Sequence, residues 1–357
     1  MNSPIRVLVV DDSVVIRRLL TSIIEDEPGL EVCGVAQNGR IALERIEQLR
    51  PDIVTLDVEM PELDGLSTLR ELRTTNHSLP VVMFSTLTAR GAAATLDALS
   101  FGASDYVAKP ANVGSVHAAM DSVRQQLIPK LKALCPRRVE RIAAPPAPPA
   151  VRRSEPTGRV DLVAIGSSTG GPNALAEVLE ALPADLGVPV VVVQHMPAVF
   201  TKFLAERLDG NCAVTVRECV PGMVLEPGHV YIAPGDFHMR TVSRAVGVEL
   251  RTDQAEPVHF CRPAVDVLFD SVAATHGGNV LAVILTGMGS DGRDGCRTLR
   301  ERGAHVIAQD EASSVVWGMP GAVASAGLAD EVLPLGEIGP TITQRVHAAR
   351  PLLTRRA

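Results

Sequence analysis

At 357 residues the chain is too long for one typical core, and its 46% hydrophobic residues are enough to fill two, with aliphatic packing since aromatics are only 3%. A formal net charge of -7 argues against a nucleic-acid surface, which needs clustered Lys and Arg to neutralise phosphates. Six cysteines with no C-x-x-C pair leave no disulfide framework or zinc site to expect. No run reaches the roughly 18 apolar residues of a membrane span, so a cytoplasmic protein without direct membrane insertion is expected.

From Ile5 to Leu134, strands are predicted at Ile5–Val10, Glu31–Ala36, Ile53–Leu56, Val81–Phe84 and Asp105–Val107. Helices are predicted at Val14–Glu27, Arg40–Leu49, Leu66–Arg73, Ala92–Phe101 and Val113–Leu134. Five βα units imply a doubly wound, flavodoxin-like parallel sheet, whose ligand crevice lies at the carboxyl ends of its strands. Asp11 and Asp12 fall there after the first strand, Asp57 after the third, Ser85 and Thr86 after the fourth, and Lys109 after the fifth. Three carboxylates on one rim repel one another unless a cation sits between them, and hard oxygen ligands with room for water suit Mg²⁺. Asp57 is the candidate phosphoryl acceptor, a carboxylate acting as nucleophile. Lys109 and the metal would neutralise the incoming oxygens, and Ser85 would hydrogen-bond one of them. Any one of these aspartates alone reads as a helix cap or loop residue; their joint placement on separate strand rims carries the reading.

Val-Val-Asp-Asp-Ser (9–13), Leu-Asp-Val-Glu-Met-Pro (56–61), Met83-Phe84-Ser85 and Lys109-Pro110 resemble the receiver domain of two-component response regulators. The resemblance implies phosphorylation of Asp57 by a histidine kinase of the chemotaxis type, with Asp12 and Asp57 ligating Mg²⁺ and Asp11 assisting through water. Tyr106 stands where that family often has an aromatic switch residue, or it is an edge tyrosine packing the last strand. Residues 136–157 follow as a linker rich in Pro and Arg, with Pro145, Pro146, Pro148 and Pro149 favouring extended, solvated backbone.

The second half, expected over 158–352, opens on Val160 to Pro172. An apolar run at Leu162–Ile165 predicts a buried parallel strand, and Pro172 fits the first turn of a helix. Gly166 and Gly171 have phosphate-loop spacing, but Pro172 and Asn173 stand where Lys and Ser/Thr are needed. The same residues read G-x-S-x-G centred on Ser168, a turn that presents a serine beside backbone N–H groups. A helix at Ala174–Leu182, a strand at Val188–Gln194 ending in His195, and an amphipathic Ala198–Leu208 come next. Turns at Pro221-Gly222, Pro227-Gly228 and Pro234-Gly235-Asp236 predict inserted hairpins between Val214 and Leu250. A helix over Pro263–Ala274 and strands at Val280–Leu285 and Ala304–Ala308 complete a doubly wound, mostly parallel α/β domain.

Ser168 and His195 fall on one rim, and the Gly-rich loop after Val280–Leu285 brings Asp291 there. Serine needs a base near neutral pH, imidazole can take and return the proton, and a buried carboxylate fixes its tautomer. Asp294 is the rival for the carboxylate, but its place two residues after Gly292 suits a first helical turn. The order Ser, His, Asp is not that of α/β-hydrolases. Ala-Ile-Gly-Ser-Ser-Thr-Gly-Gly (164–171), Gln-His-Met-Pro (194–197), Tyr-Ile-Ala-Pro-Gly-Asp (231–236), Arg-Pro-Ala-Val-Asp-Val-Leu-Phe (262–269), Leu-Thr-Gly-Met-Gly-Ser-Asp-Gly (285–292) and Trp-Gly-Met-Pro (317–320) resemble the catalytic domain of chemotaxis receptor protein-glutamate methylesterases (CheB). Ser167 departs from that pattern, which commonly has alanine there. The resemblance implies hydrolysis of γ-glutamyl methyl esters on methylated chemoreceptors and deamidation of receptor glutamines, with no cofactor for the ester step. The backbone N–H groups of Thr169 and Met288 would hold the oxyanion. The same enzyme in a non-motility pathway, or a phosphorylation-dependent binding module, are the alternatives.

Overall fold

A computed structural model of the chain describes residues 3–110, 116–135 and 158–348. The predicted linker, the first residues of the predicted Val113–Leu134 helix and the end of the predicted second domain lie outside the described residues. The chain forms two compact units, residues 1–142 and 143–357.

In the first unit β1 (Ile5–Val10), β2 (Leu30–Ala36), β3 (Ile53–Asp57), β4 (Val81–Ser85) and β5 (Asp105–Ala108) form a sheet in the order β2-β1-β3-β4-β5. All pairs are parallel. Helices α1 (Val14–Glu25), α2 (Gly39–Leu49), α3 (Gly65–Thr75), α4 (Ala89–Ser100) and α5 (Val116–Leu134) alternate with them. Side-chain caps start four of these helices: Ser13, Asn38, Asp64 and Thr88 accept from the N–H three residues on, satisfying a donor the helix leaves unpaired. Register places Val10 beside Leu56, Asp57 beside Phe84, and Ser85 beside Ala108. Asp57 and Ser85, which end β3 and β4, and Asp11 and Lys109, which directly follow β1 and β5, therefore share the carboxyl end of the sheet.

The second unit is a seven-stranded sheet in the order β14-β13-β12-β6-β7-β9-β8, every pair parallel. Its strands are β6 (Leu162–Ser167), β7 (Val190–Gln194), β8 (Thr215–Glu218), β9 (His229–Ile232), β12 (Val280–Ile284), β13 (His305–Gln309) and β14 (Glu331–Leu333). After β6 the chain winds one way through β7, then returns to add β12 on the other side, so the order reverses at β6. Ligand crevices of open α/β sheets form at such a reversal. Helices α6 (Gly171–Glu180), α7 (Ala198–Asn211), α8 (Val265–His276), α9 (Arg293–Glu301), α10 (Met319–Ser325) and α11 (Leu335–Ala348) complete the unit. From α8, Leu268, Phe269 and Val272 join Leu162, Ala164, Ala282 and Ile284 in one buried cluster.

The hairpins expected over 214–250 are partly corrected. Only β10 (His238–Arg244) and β11 (Gly247–Asp253) form one, antiparallel. β8 and β9 are parallel members of the main sheet, because the ten residues 219–228 between them form a long return rather than a tight turn. Helix α6 starts at Gly171, three residues before the predicted start: Gly170, at φ 76°, makes the bend that lets Pro172 sit in the first turn.

Candidate active site

Ser168 follows β6, His195 follows β7, and the loop holding Asp291 follows β12. Ser167 and Gln194 are register partners, so Ser168 and His195 are the next residues on neighbouring strands, whose axes lie about 4.8 Å apart. The turn at Ser168 is fixed through its backbone. Its N–H donates to the Thr286 carbonyl (3.0 Å), and its own carbonyl accepts from Gly171 N–H (2.8 Å) and Gln194 Nε2 (2.9 Å). The Ser167 hydroxyl is fully buried and donates to Gln194 Oε1 at 2.7 Å, whereas Ser168 is partly exposed. Of the two adjacent hydroxyls, only that of Ser168 is open to a substrate.

His195 Nε2 lies 2.8 Å from Asp291 Oδ2. Asp291 also accepts from the N–H groups of Val265 (2.7 Å), Asp266 (3.0 Å) and Gly292 (3.0 Å), two of them in the first turn of α8 where the helix dipole favours negative charge. Burial opposes the carboxylate's charge, but the His195 hydrogen bond and these amides hold Asp291 below the usual carboxylate range. Burial likewise opposes charge on His195, yet Asp291, followed by the Cys261 sulfur, raises it above the ordinary imidazole value. With Nε2 donating to Asp291, Nδ1 carries the lone pair and is the basic nitrogen. It faces Cys261 Sγ at 3.5 Å. The structure thus joins His195 to Asp291 and places Ser168 on the adjacent strand end. Among the described residues no hydrogen bond joins the Ser168 hydroxyl to the imidazole. Asp294 lies in the first turn of α9, half-exposed and paired with Arg293 (3.2 Å) and Arg297 (2.6 Å), away from this cluster's bonds.

The two backbone donors expected at the oxyanion lie on the loops after β6 and β12. Thr169 is the buried neighbour of Ser168, and Met288 lies on the loop after β12. Gly287 holds that loop close: its carbonyl accepts from Gly318 and Met319, and an added Cβ would meet Met319 Sδ at 2.4 Å and Ser168 Cβ at 2.9 Å.

In the first unit, Lys109 Nζ lies 2.7 Å from Asp57 Oδ2 and 2.9 Å from Asp11 Oδ2. Burial, with Asp11's charge adding and Lys109 opposing, pushes the Asp57 carboxyl up to about 6. Burial opposes charge on Lys109 as well, but the negative charge of the Asp57 and Asp11 carboxylates paired with it raises it. Asp11, Asp12 and Asp57 each offer an oxygen within 4.8 Å of the others. Asp11 Oδ2 is buried without a well-directed hydrogen bond, since Lys109 is near enough to pair in charge but not aligned to donate. An under-satisfied buried oxygen beside two more carboxylates fits a hard divalent cation. The Ser85 hydroxyl donates to Gly91 O (3.1 Å) and not to Asp57. Tyr106 is buried, with Lys130 bonding its carbonyl (2.7 Å) and lying over its ring.

Residues 163–342 match the family model for the CheB methylesterase, and residues 7–121 match that for the response regulator receiver domain. A protein-glutamate methylesterase/protein-glutamine glutaminase of a Nocardioides species is 55% identical, over 98% of this chain and 97% of its own length. That of Trichodesmium erythraeum is 50% identical over 96% of this chain and 99% of its own. The chain belongs to the CheB methylesterase family. Among solved structures, the CheB methylesterase catalytic domain of Thermotoga maritima is 44% identical, covers 52% of this chain and 98% of its own, and superposes with a TM-score of 0.51.

Two residues of this methylesterase chain were not singled out by the sequence reading. Gln194, next to His195, brackets the turn at Ser168, whose tightness is visible in Gly171, where a Cβ would fall 1.9 Å from Gln194 Oε1. Cys261 touches the imidazole, but nothing in a lone cysteine 66 positions away announces that contact.

Proposed function

We propose that this chain removes methyl groups from γ-glutamyl methyl esters on chemoreceptors, and deamidates receptor glutamines, under control of phosphorylation at Asp57 by a chemotaxis histidine kinase in the cytoplasm. The bond between His195 Nε2 and Asp291 Oδ2, at the rim that presents Ser168, carries the reading. Ser168 Oγ attacks the side-chain carbonyl as His195 Nδ1 takes its proton. Thr169 and Met288 N–H groups hold the oxyanion. The tetrahedral intermediate collapses, His195 returns the proton to the departing oxygen or nitrogen, and methanol or ammonia leaves. Water, deprotonated by His195, then attacks the acyl-serine; the ester bond to Ser168 Oγ breaks, His195 returns the proton to that oxygen, and the glutamate side chain leaves as the carboxylic acid, which ionises.

On the receiver, Asp11, Asp12 and Asp57 would hold Mg²⁺, which when bound neutralises charge during phosphoryl transfer. Asp57 is the acceptor, Lys109 pairs with the new phosphoryl oxygens, and Ser85 exchanges its bond to Gly91 for one to the phosphoryl group. Methanol release from methylated receptor membranes tests the whole reading. Ser168→Ala is expected to lower the rate about 10³-fold or more while Asp57 still accepts phosphate; wild-type turnover in that variant would end it.

A further inference from the structure

The strap between β11 and α8 ends in an unusual turn. Val258 and Cys261 exchange both backbone hydrogen bonds (3.1 and 2.9 Å), and the two residues between them, His259 and Phe260, have φ of 51° and 62°. Such left-handed pairs are normally Asn-Gly, and a bulky aromatic there is under strain. Phe260 is also fully solvated, at 103% of its reference area.

The strap around it is anchored. His259 Nε2 lies 3.0 Å from Asp266, Arg262 pairs with Asp236 at 2.6 Å, and the buried His238 accepts from Ala264 N–H (3.2 Å) while its other nitrogen meets Glu256 O (3.1 Å). The residue after Phe260 is Cys261, whose sulfur touches the His195 ring. A rigid mount thus holds a strained, water-exposed aromatic one residue from the contact to the base. On the Ser168 side, Val315 is 46% exposed and covers Gly170, where an added Cβ would meet its Cγ2 at 2.6 Å.

We propose that Phe260 is a substrate-docking residue: it packs against an apolar side chain of the receptor helix bearing the ester, and Val315 meets the helix on the nucleophile side. The proposal rests on the methylesterase reading. A glutamyl ester on a helix projects only a short way, so contact must come from the same helical face, where residues three or four positions away lie about 5–6 Å from it. An amphipathic helix with an apolar residue one turn from the ester fits. Aromatic anchors of this kind commonly dominate such contacts.

The test uses the full chain with a phosphodonor and Mg²⁺, and two substrates: methylated receptor membranes and the small ester N-acetylglutamate γ-methyl ester. Phe260→Gly suits the left-handed turn, so it is expected to fold with unchanged or higher Tm. Its KM for receptors is expected to rise about fivefold or more with kcat within about twofold, and the receptor-to-small-ester ratio of kcat/KM to fall by the same factor. Phe260→Tyr should restore most of the loss. An unchanged receptor KM overturns the proposal, and so does an equal loss on both substrates, which would make Phe260 a support for His195. A raised rate without phosphodonor and a lost response to it would make the receiver the occupant, which also overturns it. Failure of the wild-type chain to hydrolyse receptors would instead strike the methylesterase reading itself.

Discussion

His195 bonds Asp291 through Nε2, which leaves Nδ1 as the nitrogen for the proposed proton transfer, and this proposal has a pH signature. Asp291 raises His195 above the 6.5 of a free imidazole, so the charged form persists to higher pH, and a base must be neutral to act. The kcat/KM profile is therefore expected to rise with pH through a midpoint above 6.5. Asp291→Asn should move that midpoint down and lower the rate by about 10²- to 10⁴-fold, read from pH–rate profiles of both proteins. An unshifted midpoint would detach Asp291 from His195. For folding the sign is opposite: His195's contribution is fully present below pH 6.5 and is lost as pH rises through the folded value, whereas Asp291's is lost as pH falls through its own lowered value.

The three elements that end at the site were legible as elements, because β6, β7 and β12 are continuous apolar runs flanked by Gly and Pro signals. Their meeting is a matter of sheet order, which periodicity does not specify. Helix α9 went unread as a full helix because only Gly295, Cys296 and Leu299 of its nine residues are buried, leaving too thin an apolar stripe. The parallel placement of β8 and β9 was missed for a related reason: Pro-Gly turns between short runs look alike whether the chain turns back or returns over the sheet. Close packing between the loops after β6 and β12 is equally invisible in one dimension, yet it has a consequence. Gly287→Ala places a methyl 2.9 Å from Ser168 Cβ, so it is expected to displace the nucleophile and cut kcat at least about tenfold with KM little changed. Steady-state kinetics on receptor membranes check this, and wild-type kcat would show that the loops can part without cost.

At the scale of the whole molecule, a phosphorylatable switch and a hydrolase share one chain, and no described helix is long and apolar enough to cross a membrane. Coupling between the two sites of about 1–3 kcal/mol is enough for a roughly 5- to 150-fold response. If Asp57 accepts phosphate as proposed, the added charge falls beside Lys109, which already pairs with Asp57, and changes both the charge and the hydrogen bonding of the rim. The measurement that bears most directly on the account is the rate and position of labelling of the full chain by a serine-reactive fluorophosphonate, with and without a phosphodonor and Mg²⁺. The account predicts one label, on Ser168, gained about 5- to 150-fold faster with the phosphodonor, at an unaccelerated rate in Asp57→Asn, and at no position in Ser168→Ala. A label on Ser167 or Cys261, or a rate indifferent to the phosphodonor, would contradict it.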